Sequence, residues 1–566
     1  MNKLSILYPP EETIEYKILS ETAFHDLGFD SLLEEVSLKE GERGLISKIM
    51  CKLTPSERAA RYRIEVFDDI LKFPKMRSRM MELLEKVDYL KDFIGIKKEH
   101  EISSGIWDLL HRLEEINDYI ETVEAISECL KDADISSEGL INLREYIDKI
   151  HNENGFSELK KDIKALKATT YDLKSVTLGI NLNARFESES VGLISVNKKK
   201  FTSSVMLENF GAAIQKKDNI KKDLKWNENY KYDKVTEADM YSVGTMENFA
   251  KLTSGNPLLE LQTIHNLASK DPAEDIPKYL DRIVNHMLTQ TSRKLKEVLS
   301  KYVTITIHDI TGLIPEFMYY IRWAEYIEKR RSEGFIFSKP EVISDNIAAK
   351  ACDVYNLKLA NILKPEEIVL NSLDFDYDHL VYILTGANRG GKTTITQTLG
   401  QLFLLSQNGI YIPGISFKFS PVDMIYTHFP ADEDKTLDLG RLGEECKRFK
   451  ELFTSAGTQS LLLLNETFST TSFEEGYYIA RDSVKAILNK GIRTIYNTHM
   501  HKLGYDIENL NEKAQKGKAA SLIVVTEDEG KRSFKVKAAP PEGSSYAKDI
   551  ALKYEVTYEQ LISPTN

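Results

Sequence analysis

The chain has 566 residues, of which 42% are hydrophobic and 29% are charged, and its formal net charge is −12. A chain of this length and composition has enough apolar material for several cores, and ordinary domain sizes predict about three to five domains. The acidic balance argues against a protein that coats nucleic acid non-specifically, but it is compatible with local basic patches.

Cysteine content and hydropathy bear on the cellular compartment. The four cysteines, Cys51, Cys129, Cys352 and Cys446, stand far apart and show neither metal-ligand spacing nor a disulfide framework. No run approaches the roughly 18 apolar residues of a membrane span, and the N-terminal residues lack the apolar region of a cleavable signal. We therefore expect a cytoplasmic protein without a membrane segment.

The first part of the chain has helical periodicity. Residues 1 to about 100 read as mostly helical, with Ile46, Ile49, Met50 and Leu53 at helical spacing. From Ile106 to Leu130 apolar residues recur every three or four positions, which predicts a long amphipathic helix. A second helical pattern runs from Leu140 to Leu166. Simple helix packing accounts for most of these apolar residues.

A β-containing island follows. Residues Val176 to Leu182 alternate in polarity, and Gly192 to Val196 give a second strand signal. This island carries or adjoins the clearest basic clusters, which are Lys198, Lys199, Lys200, Lys216 and Lys217. Such clusters are candidates for contact with nucleic-acid phosphates, although a solvated surface is the more common explanation of a charge run.

Helical periodicity resumes near Tyr279, and a further helix is predicted from Ile314 to Tyr326. From Asp345 onward helices and strands alternate, which is typical of an α/β domain. The fold class expected for the whole chain is therefore a multidomain α plus α/β protein.

The strongest motif lies in this last region. An apolar run from Val381 to Leu384 leads into a glycine-rich loop that opens a predicted helix, the context required of a P-loop. Backbone amides of the loop and the helix N-terminus cradle phosphates, Lys392 reaches the β- and γ-phosphates, and Thr393 holds Mg²⁺. The predicted cradle consists of Gly386, Ala387, Asn388, Arg389, Gly390, Gly391, Lys392, Thr393 and Thr394. The expected ligands are ATP and Mg²⁺.

Two further strands deliver polar residues. The strand Leu461–Leu464 ends in Asn465 and Glu466, the position where P-loop ATPases of the ABC type have two carboxylates. Asn465 is the candidate metal residue, but an amide brings no charge, so Mg²⁺ is expected to bind less tightly. Glu466 is the candidate general base. The strand Thr494–Thr498 delivers His499, a candidate contact for the γ-phosphate.

At this point the residues resemble the MutS family. Its P-loop pattern T-G-P-N-M-G-G-K-S-T is similar to the segment from Thr385 to Thr394, and its L-L-A-Q-x-G-x-x-V-P pattern is similar to residues 402–413. Residues 367–371 resemble the strand that leads into the ATPase domain of the family. Further similar segments, in the order of the family, are Val422–Thr427, Asn465–Gly476, Asn497–His501 (family pattern A-T-H-Y-H) and Gly543–Ala551.

The resemblance implies a chain organisation. By motif it covers residues 358–562, and by pattern alone it extends to the helical regions before them. It implies an N-terminal helical core at 1–100, lever helices at 101–173, a clamp-like β-containing segment at 174–255 and returning lever and core helices at 256–340. An ABC-type ATPase domain with a C-terminal dimerisation segment then occupies 341–566. The implied assembly is a dimer, expected to be a homodimer, with two composite ATP sites and a clamp around duplex DNA.

The chain departs from the family pattern in three respects. It begins at the core-like region, so the mismatch-recognition and connector domains are expected to be absent, and Phe156–Glu158 lies in a helical region and is rejected as a mismatch-reading wedge. Asn465 replaces the aspartate of the family. Arg441 lies where the family has a hydroxyl-containing segment, and an arginine finger and a solvent-exposed side chain are equally compatible with this position.

The leading hypothesis is a MutS-like ATPase of mismatch-repair or recombination type that clamps duplex or branched DNA, with ATP binding and slow hydrolysis. The alternative is a nucleotide-gated protein that binds nucleic acid or the ribosome with negligible hydrolysis, in which case RNA shape would be recognised. Since the sequence continues for only a few residues after Ile562, we expect no appended small nuclease domain and no DNA nicking.

Overall fold

The structure is a computed structural model. It describes residues 4–10, 14–80, 106–131, 133–152, 154–170, 175–182, 184–185, 188–197, 293, 295, 297–299, 312–344, 348–376, 378–386, 390–430, 440–526, 532–541 and 554–562.

The helices of the described part are α1 (Glu21–Asp26), α2 (Phe29–Val36), α3 (Glu40–Met50), α4 (Glu57–Lys72), α5 (Ile106–Lys131), α6 (Glu138–Asn152), α7 (Asn154–Thr170), α8 (Ile314–Ser332), α9 (Leu357–Ala360), α10 (Lys392–Gln407), α11 (Gly440–Ser455), α12 (Phe473–Lys490), α13 (His501–Tyr505), α14 (Ile507–Glu512) and α15 (Tyr558–Ile562). A single 3₁₀ turn, Pro365–Glu367, is found in the same part of the chain.

The strands are β1 (Lys17–Ile18), β2 (Lys52–Leu53), β3 (Ser175–Leu182), β4 (Ser188–Asn197), β5 (Phe337–Ser338), β6 (Glu341–Val342), β7 (Ala349–Val354), β8 (Asn371–Phe375), β9 (His379–Thr385), β10 (Ile412–Phe419), β11 (Ile425–His428), β12 (Leu461–Asn465), β13 (Arg493–Asn497), β14 (Lys518–Thr526) and β15 (Arg532–Ala538). The mixture of helices and sheets confirms the α plus α/β fold class in its coarse form.

The chain divides into two compact units. One takes in 1–85, 125–147 and 309–566, and the other takes in 86–124 and 148–308. Among the described residues no helix has both the length and the apolar content needed to cross a membrane.

In the second unit the described elements are helical segments and a β-hairpin. Apolar residues of α5 and α7 are buried at helical spacing, and the rings of Tyr119 and Phe156 meet edge to face at 6.5 Å. Lys167 pairs with Glu114 at 3.0 Å along the same two helices. Strands β3 and β4 pair antiparallel, so both predicted strands of the β island are confirmed. The lysines predicted to touch nucleic acid lie outside the described residues.

The first unit is built on a six-stranded sheet with the order β11-β12-β13-β9-β14-β15. All neighbouring strands are parallel except β14 and β15. Both faces are covered, which explains why β12 reads as an uninterrupted Leu461–Leu464 run. Leu463 faces Gly400 of α10, whereas Leu462 and Leu464 pack in the core formed with α12 on the other side.

A second sheet lies beside this α/β core. Its order is β5-β10-β7-β8, with β6 pairing β10, and its strands are mainly antiparallel. The segment Glu367–Asn371, expected to be a strand, is an exception to the predictions. Residues 365–367 form a 3₁₀ turn and the strand begins only at Asn371, because Pro365 at the first position of the turn favours a helical start.

The N-terminal helices pack on α10, the helix that follows the glycine-rich loop. Arg63 of α4 is fully buried and donates hydrogen bonds to Gln407 O and Asn408 Oδ1, both at 3.1 Å. Gln397 and Gln401 donate to the carbonyls of Asp26 and Leu27, each at 2.8 Å. Contacts along its middle and at its C-terminal end thus fix α10 against the N-terminal helices.

Candidate functional site

The glycine-rich loop connects β9 to α10, as the sequence predicts. Gly386 follows the strand with φ 143°, and Gly391 caps the helix with φ 95°, backbone conformations that side-chain-bearing residues rarely adopt. Of the nine predicted cradle residues the structure describes six, since Ala387, Asn388 and Arg389 lie outside the described residues. The N-terminus of α10 lines the site through Gly391, Lys392 and Thr393. Its free backbone amides and the positive end of the helix dipole favour an anion there.

Lys392 is the buried cation of the site, with only 5% of its surface exposed. Its Nζ donates to Gly386 O at 3.1 Å and lies 3.7 Å from Glu466 Oε1. Burial lowers the pKa of the Lys392 ammonium below its ordinary value, although the Glu466 carboxylate partly offsets that effect. The lysine is thus held between the loop and the acidic strand end.

Thr393 and Asn465 meet as the sequence predicts. The Thr393 hydroxyl donates to Asn465 Oδ1 at 3.0 Å. Asn497, at the end of the neighbouring strand β13, donates from Nδ2 to the same oxygen. A hydroxyl oxygen and an amide oxygen can each coordinate Mg²⁺ or accept a hydrogen bond from a metal-bound water, so these residues fit a magnesium site that lacks a carboxylate at position 465.

Glu466 and His499 also come together, at the ends of β12 and β13. The Nδ1 of His499 hydrogen-bonds to Glu466 Oε2. Burial raises the pKa of the Glu466 carboxyl, but the His499 hydrogen bond and the charge of Lys392 outweigh this, and the pKa lies below its ordinary value. Glu466 also has φ 53°, a strained conformation of the kind found at functional sites.

A cavity of about 480 Å³ opens beside the loop. Its polar end includes Lys392, Thr393 and Glu466. Its apolar wall is formed largely by Leu359, Leu363, Ile368, Val369, Ile395 and Phe534. An apolar wall with a cationic end suits a ligand that joins a flat organic ring to phosphates.

Sequence reasoning missed Phe534, which belongs to this wall. A Cβ on Gly391 would lie 3.3 Å from Phe534 Cδ1, so the ring closes over the start of α10. Asn371 holds the Phe534 backbone through a 3.0 Å hydrogen bond to its carbonyl. Nothing in the sequence marks this aromatic residue, because it reaches the site only through the pairing of β15 with β14.

Sequence reasoning also missed the contact of Asn497 with Asn465. The sequence did contain a signal: the A-T-H-Y-H pattern of the family has alanine where this chain has Asn497.

His428, at the end of β11, is a further buried residue near these strand ends, and its Nδ1 lies 3.1 Å from Thr467 Oγ1. Burial, reinforced by Arg448, lowers the pKa of His428 to about 4.

Two further sequence predictions concern residues away from this cluster. Arg441 is exposed in the first turn of α11. Phe156 is 6% exposed and packs against Tyr119. The ring of Phe156 is therefore part of a helix core, in agreement with its rejection as a DNA-reading wedge.

Comparison with known proteins gives matches to two family profiles. Residues 382–553 match MutS domain V, and residues 56–331 match the MutS2 N-terminal domain. The first match contains the strand ends that carry Lys392, Glu466 and His499.

Individual relatives resemble shorter stretches. The DNA mismatch repair protein MutS of Haloquadratum walsbyi is 29% identical over 168 residues, which are 30% of this chain and 18% of that protein. The endonuclease MutS2 of Thermus thermophilus is 27% identical over 137 residues, 24% of this chain and 18% of that protein. The probable DNA mismatch repair protein Msh6 of Drosophila melanogaster is 34% identical over 121 residues, 21% of this chain and 10% of that protein. The matches therefore span less than a fifth of the length of each of these relatives.

The fold and site define a class. A glycine-rich loop between a central parallel strand and a helix, with an acidic strand end two strands away, is the arrangement of a P-loop nucleotide-binding domain. Within this class, the two profile matches and the motifs in family order identify the family. The chain belongs to the MutS family.

Proposed function

We propose that this chain is a DNA-binding ATPase of the mismatch-repair and recombination type, which binds ATP with Mg²⁺ and hydrolyses it slowly. One observation carries the proposal: the ends of β9, β12 and β13 bring Lys392, Thr393, Asn465, Glu466 and His499 together beside the cavity. Fold alone would not distinguish an ATPase from a passive nucleotide-binding domain, but this combination of side chains supports both binding and hydrolysis.

Each residue has a distinct role in the proposed reaction. The amides of Gly390 and Gly391 and the ammonium of Lys392 bind the phosphates, and the Thr393 hydroxyl holds the metal. Mg²⁺, when bound, neutralises charge on the β- and γ-phosphate oxygens. The Glu466 carboxylate orients the attacking water and accepts its proton, and His499 holds that carboxylate in place.

The contact between Lys392 and Glu466 links binding to chemistry. Their 3.7 Å separation stabilises the ionised carboxylate, and a carboxylate stabilised in this way is a weak base. When Lys392 turns towards a phosphate, Glu466 loses part of this stabilisation and becomes more basic. The proposed site therefore has a stronger base after the nucleotide is bound.

Asn465 is the reason for proposing slow hydrolysis. The amide oxygen accepts hydrogen bonds from Thr393 and Asn497 but carries no formal charge, so it attracts Mg²⁺ less than the aspartate of the family pattern would. The same observation favours a second candidate function, in which ATP binding closes a dimer and hydrolysis is negligible.

The nucleic-acid partner is proposed from family membership. The relatives from Haloquadratum walsbyi and Drosophila melanogaster carry names of DNA mismatch repair proteins. We propose that this chain binds duplex or branched DNA as a homodimer, with the region 174–255 as the clamp, 101–173 and 256–340 as lever and core helices, 1–100 as the N-terminal core and 341–566 as the ATPase domain. In that dimer Arg441 is the candidate side chain for contact with the nucleotide of the partner.

A gel-shift panel tests this function. Linear duplex, mismatched duplex, four-way junction and structured RNA are each titrated with the chain in the presence and absence of ATP. The proposal predicts ATP-dependent binding to DNA, with the junction bound at least as tightly as linear duplex. Binding that is confined to structured RNA, or that ignores ATP, would contradict it.

A further inference from the structure

Two asparagines stand side by side at the ends of neighbouring strands. In the parallel register of β12 and β13, Asn465 is paired directly with Asn497, so their side chains project to the same face of the sheet. Both are buried, with exposed fractions of 5% and 0%. Asn497 Nδ2 donates to Asn465 Oδ1, which also accepts the Thr393 hydroxyl at 3.0 Å.

The chemistry of an amide makes this contact necessary. A carboxylate presents acceptor oxygens on both sides, so either orientation serves a hydroxyl or a metal-bound water. An amide has a single oxygen, and a half-turn about its last torsion would present an NH₂ group to Thr393 instead. A neutral residue at position 465 therefore needs a neighbour that fixes which atom faces Thr393.

Asn497 supplies that neighbour. In the observed structure its NH₂ group faces Asn465 and can only donate, so it favours the Asn465 orientation that turns the oxygen inward. Its own Oδ1 is buried without a hydrogen-bond partner in the described part of the chain. The contact to Asn465 is therefore made by the NH₂ group of Asn497 alone.

We propose that Asn497 is a positioning residue of the metal site, which holds the carbonyl oxygen of Asn465 towards Thr393 and so allows a neutral residue to serve Mg²⁺. The inference rests on the proposed Mg²⁺–nucleotide site. The two asparagines act as one unit: with a carboxylate at position 465 orientation no longer matters, and the amide at position 497 becomes dispensable.

A double-mutant cycle tests this coupling. The parent, Asn497→Ala, Asn465→Asp and the double variant N465D/N497A are titrated with a fluorescent ATP analogue at increasing Mg²⁺, and again without metal. Affinity without metal is expected to be unaffected by Asn497→Ala in either background, since this substitution removes no charge. Asn497→Ala alone is expected to raise the Mg²⁺ concentration for half-saturation about tenfold, the effect of one lost hydrogen bond. In the Asn465→Asp background the same change is expected to shift it by no more than about twofold, since the two residues are then uncoupled.

The possible results distinguish the positioning role of Asn497 from the proposed Mg²⁺–nucleotide site itself. Equal shifts in the two backgrounds, or no shift in either, would overturn the positioning role while leaving the nucleotide site intact. A parent that binds no nucleotide at any Mg²⁺ concentration would overturn both. Thermal unfolding without nucleotide checks that each variant is folded. If Asn497→Ala does not fold, the comparison of Asn465→Asp with the double variant still tests the coupling. Equal Mg²⁺ concentrations for half-saturation in these two proteins support it, and unequal concentrations refute it.

Discussion

Glu466 is the residue on which the proposed chemistry depends. It follows β12 directly, has a strained backbone with φ 53°, and contacts both Lys392 and His499. Strain of this kind persists only where surrounding contacts impose it, and here they are the hydrogen bond from Glu466 N to Asn497 O at 2.9 Å and the two side-chain contacts. The carboxylate is therefore fixed in place before it meets a substrate.

Replacement Glu466→Gln tests the general-base role. The amide keeps the shape of the side chain but accepts a proton poorly, so ATP hydrolysis should slow by about a hundredfold or more. Nucleotide affinity should stay close to that of the parent. The matched control is Glu451→Gln on the exposed surface of α11, which should hydrolyse ATP at the parental rate. Equal rates for Glu466→Gln and the parent would exclude Glu466 from the reaction.

His428 makes a prediction about acid stability. Its pKa is about 4 in the folded protein, against an ordinary value of 6.5, so the unfolded chain binds more protons between these two pH values. The free energy of unfolding should therefore fall as the pH drops through this window, by about 3 kcal/mol from this one group. His428→Gln does not titrate, so denaturant unfolding across the window should show a shallower loss of stability. An identical slope in parent and variant would show that His428 is not the group responsible.

At the residue scale the sequence predicted much of the site. The contacts of Lys392, Thr393, Asn465, Glu466 and His499 follow from motifs at strand ends, because carboxyl ends of parallel strands meet at one edge of the sheet. The position of Phe534 had no signal in the sequence, and the contact of Asn497 with Asn465 was marked only by the departure from the alanine of the family pattern. Both depend on strand register, which local periodicity leaves open until the neighbouring strand is known.

At the scale of elements, α10 links the site to the N-terminal helices. Its first residue is Lys392, and its C-terminal end is held by Arg63, whose positive charge lies at the negative end of the helix dipole. Gly400, at its middle, lies between Leu27 of the N-terminal region and Leu463 of the sheet. A shift of α10 at the loop would therefore displace both the N-terminal helices and the six-stranded sheet, which pack on its two sides.

Gly400→Ala tests this close packing. Helix propensity alone would stabilise the variant by about 1 kcal/mol. However, the new Cβ would lie 2.2 Å from Leu27 Cδ2 and 2.7 Å from Leu463 Cδ1. Overpacking costs about 1–3 kcal/mol, so the variant should be less stable than the parent.

The control for this substitution is Gly44→Ala in α3. A Cβ at Gly44 meets nothing within 4 Å, so this variant should gain about 1 kcal/mol from helix propensity. Urea midpoints compare the two. A gain in stability for Gly400→Ala equal to that for Gly44→Ala would show that α10 is free to move away from Leu27.

The elements themselves were predicted with uneven success. The helix predicted from Ile106 to Leu130 is confirmed as α5, and the strands β9 and β12 are confirmed because buried parallel strands read as apolar runs. Helical spacing predicts Leu53 in a helix, but this is wrong: Leu53 lies in β2, where pairing with β1 overrides local periodicity. The interleaving of α10 with the N-terminal helices also escaped prediction, since tertiary contacts between distant segments leave no periodic signal.

For the molecule as a whole, the proposed DNA contacts make a prediction about salt. Phosphate contacts release counterions, so DNA affinity should fall steeply with salt and depend little on sequence. Replacing Lys198, Lys199 and Lys200 by alanine should weaken binding uniformly and flatten the salt slope by up to about one unit per lost contact. ATP hydrolysis without DNA should be unchanged. An unaltered salt slope would show that these lysines only solvate the surface.

Every role proposed for this chain depends on the binding of a nucleoside triphosphate with Mg²⁺ at the glycine-rich loop. The most direct measurement is equilibrium titration of the parent, Lys392→Ala and the exposed control Lys447→Ala with labelled ATP in the presence of Mg²⁺. We expect saturable binding by the parent and the control, and an affinity lower by about a hundredfold for Lys392→Ala, which loses its charged hydrogen bonds to phosphate. Equal affinities in all three proteins, or no binding by the parent, would contradict it.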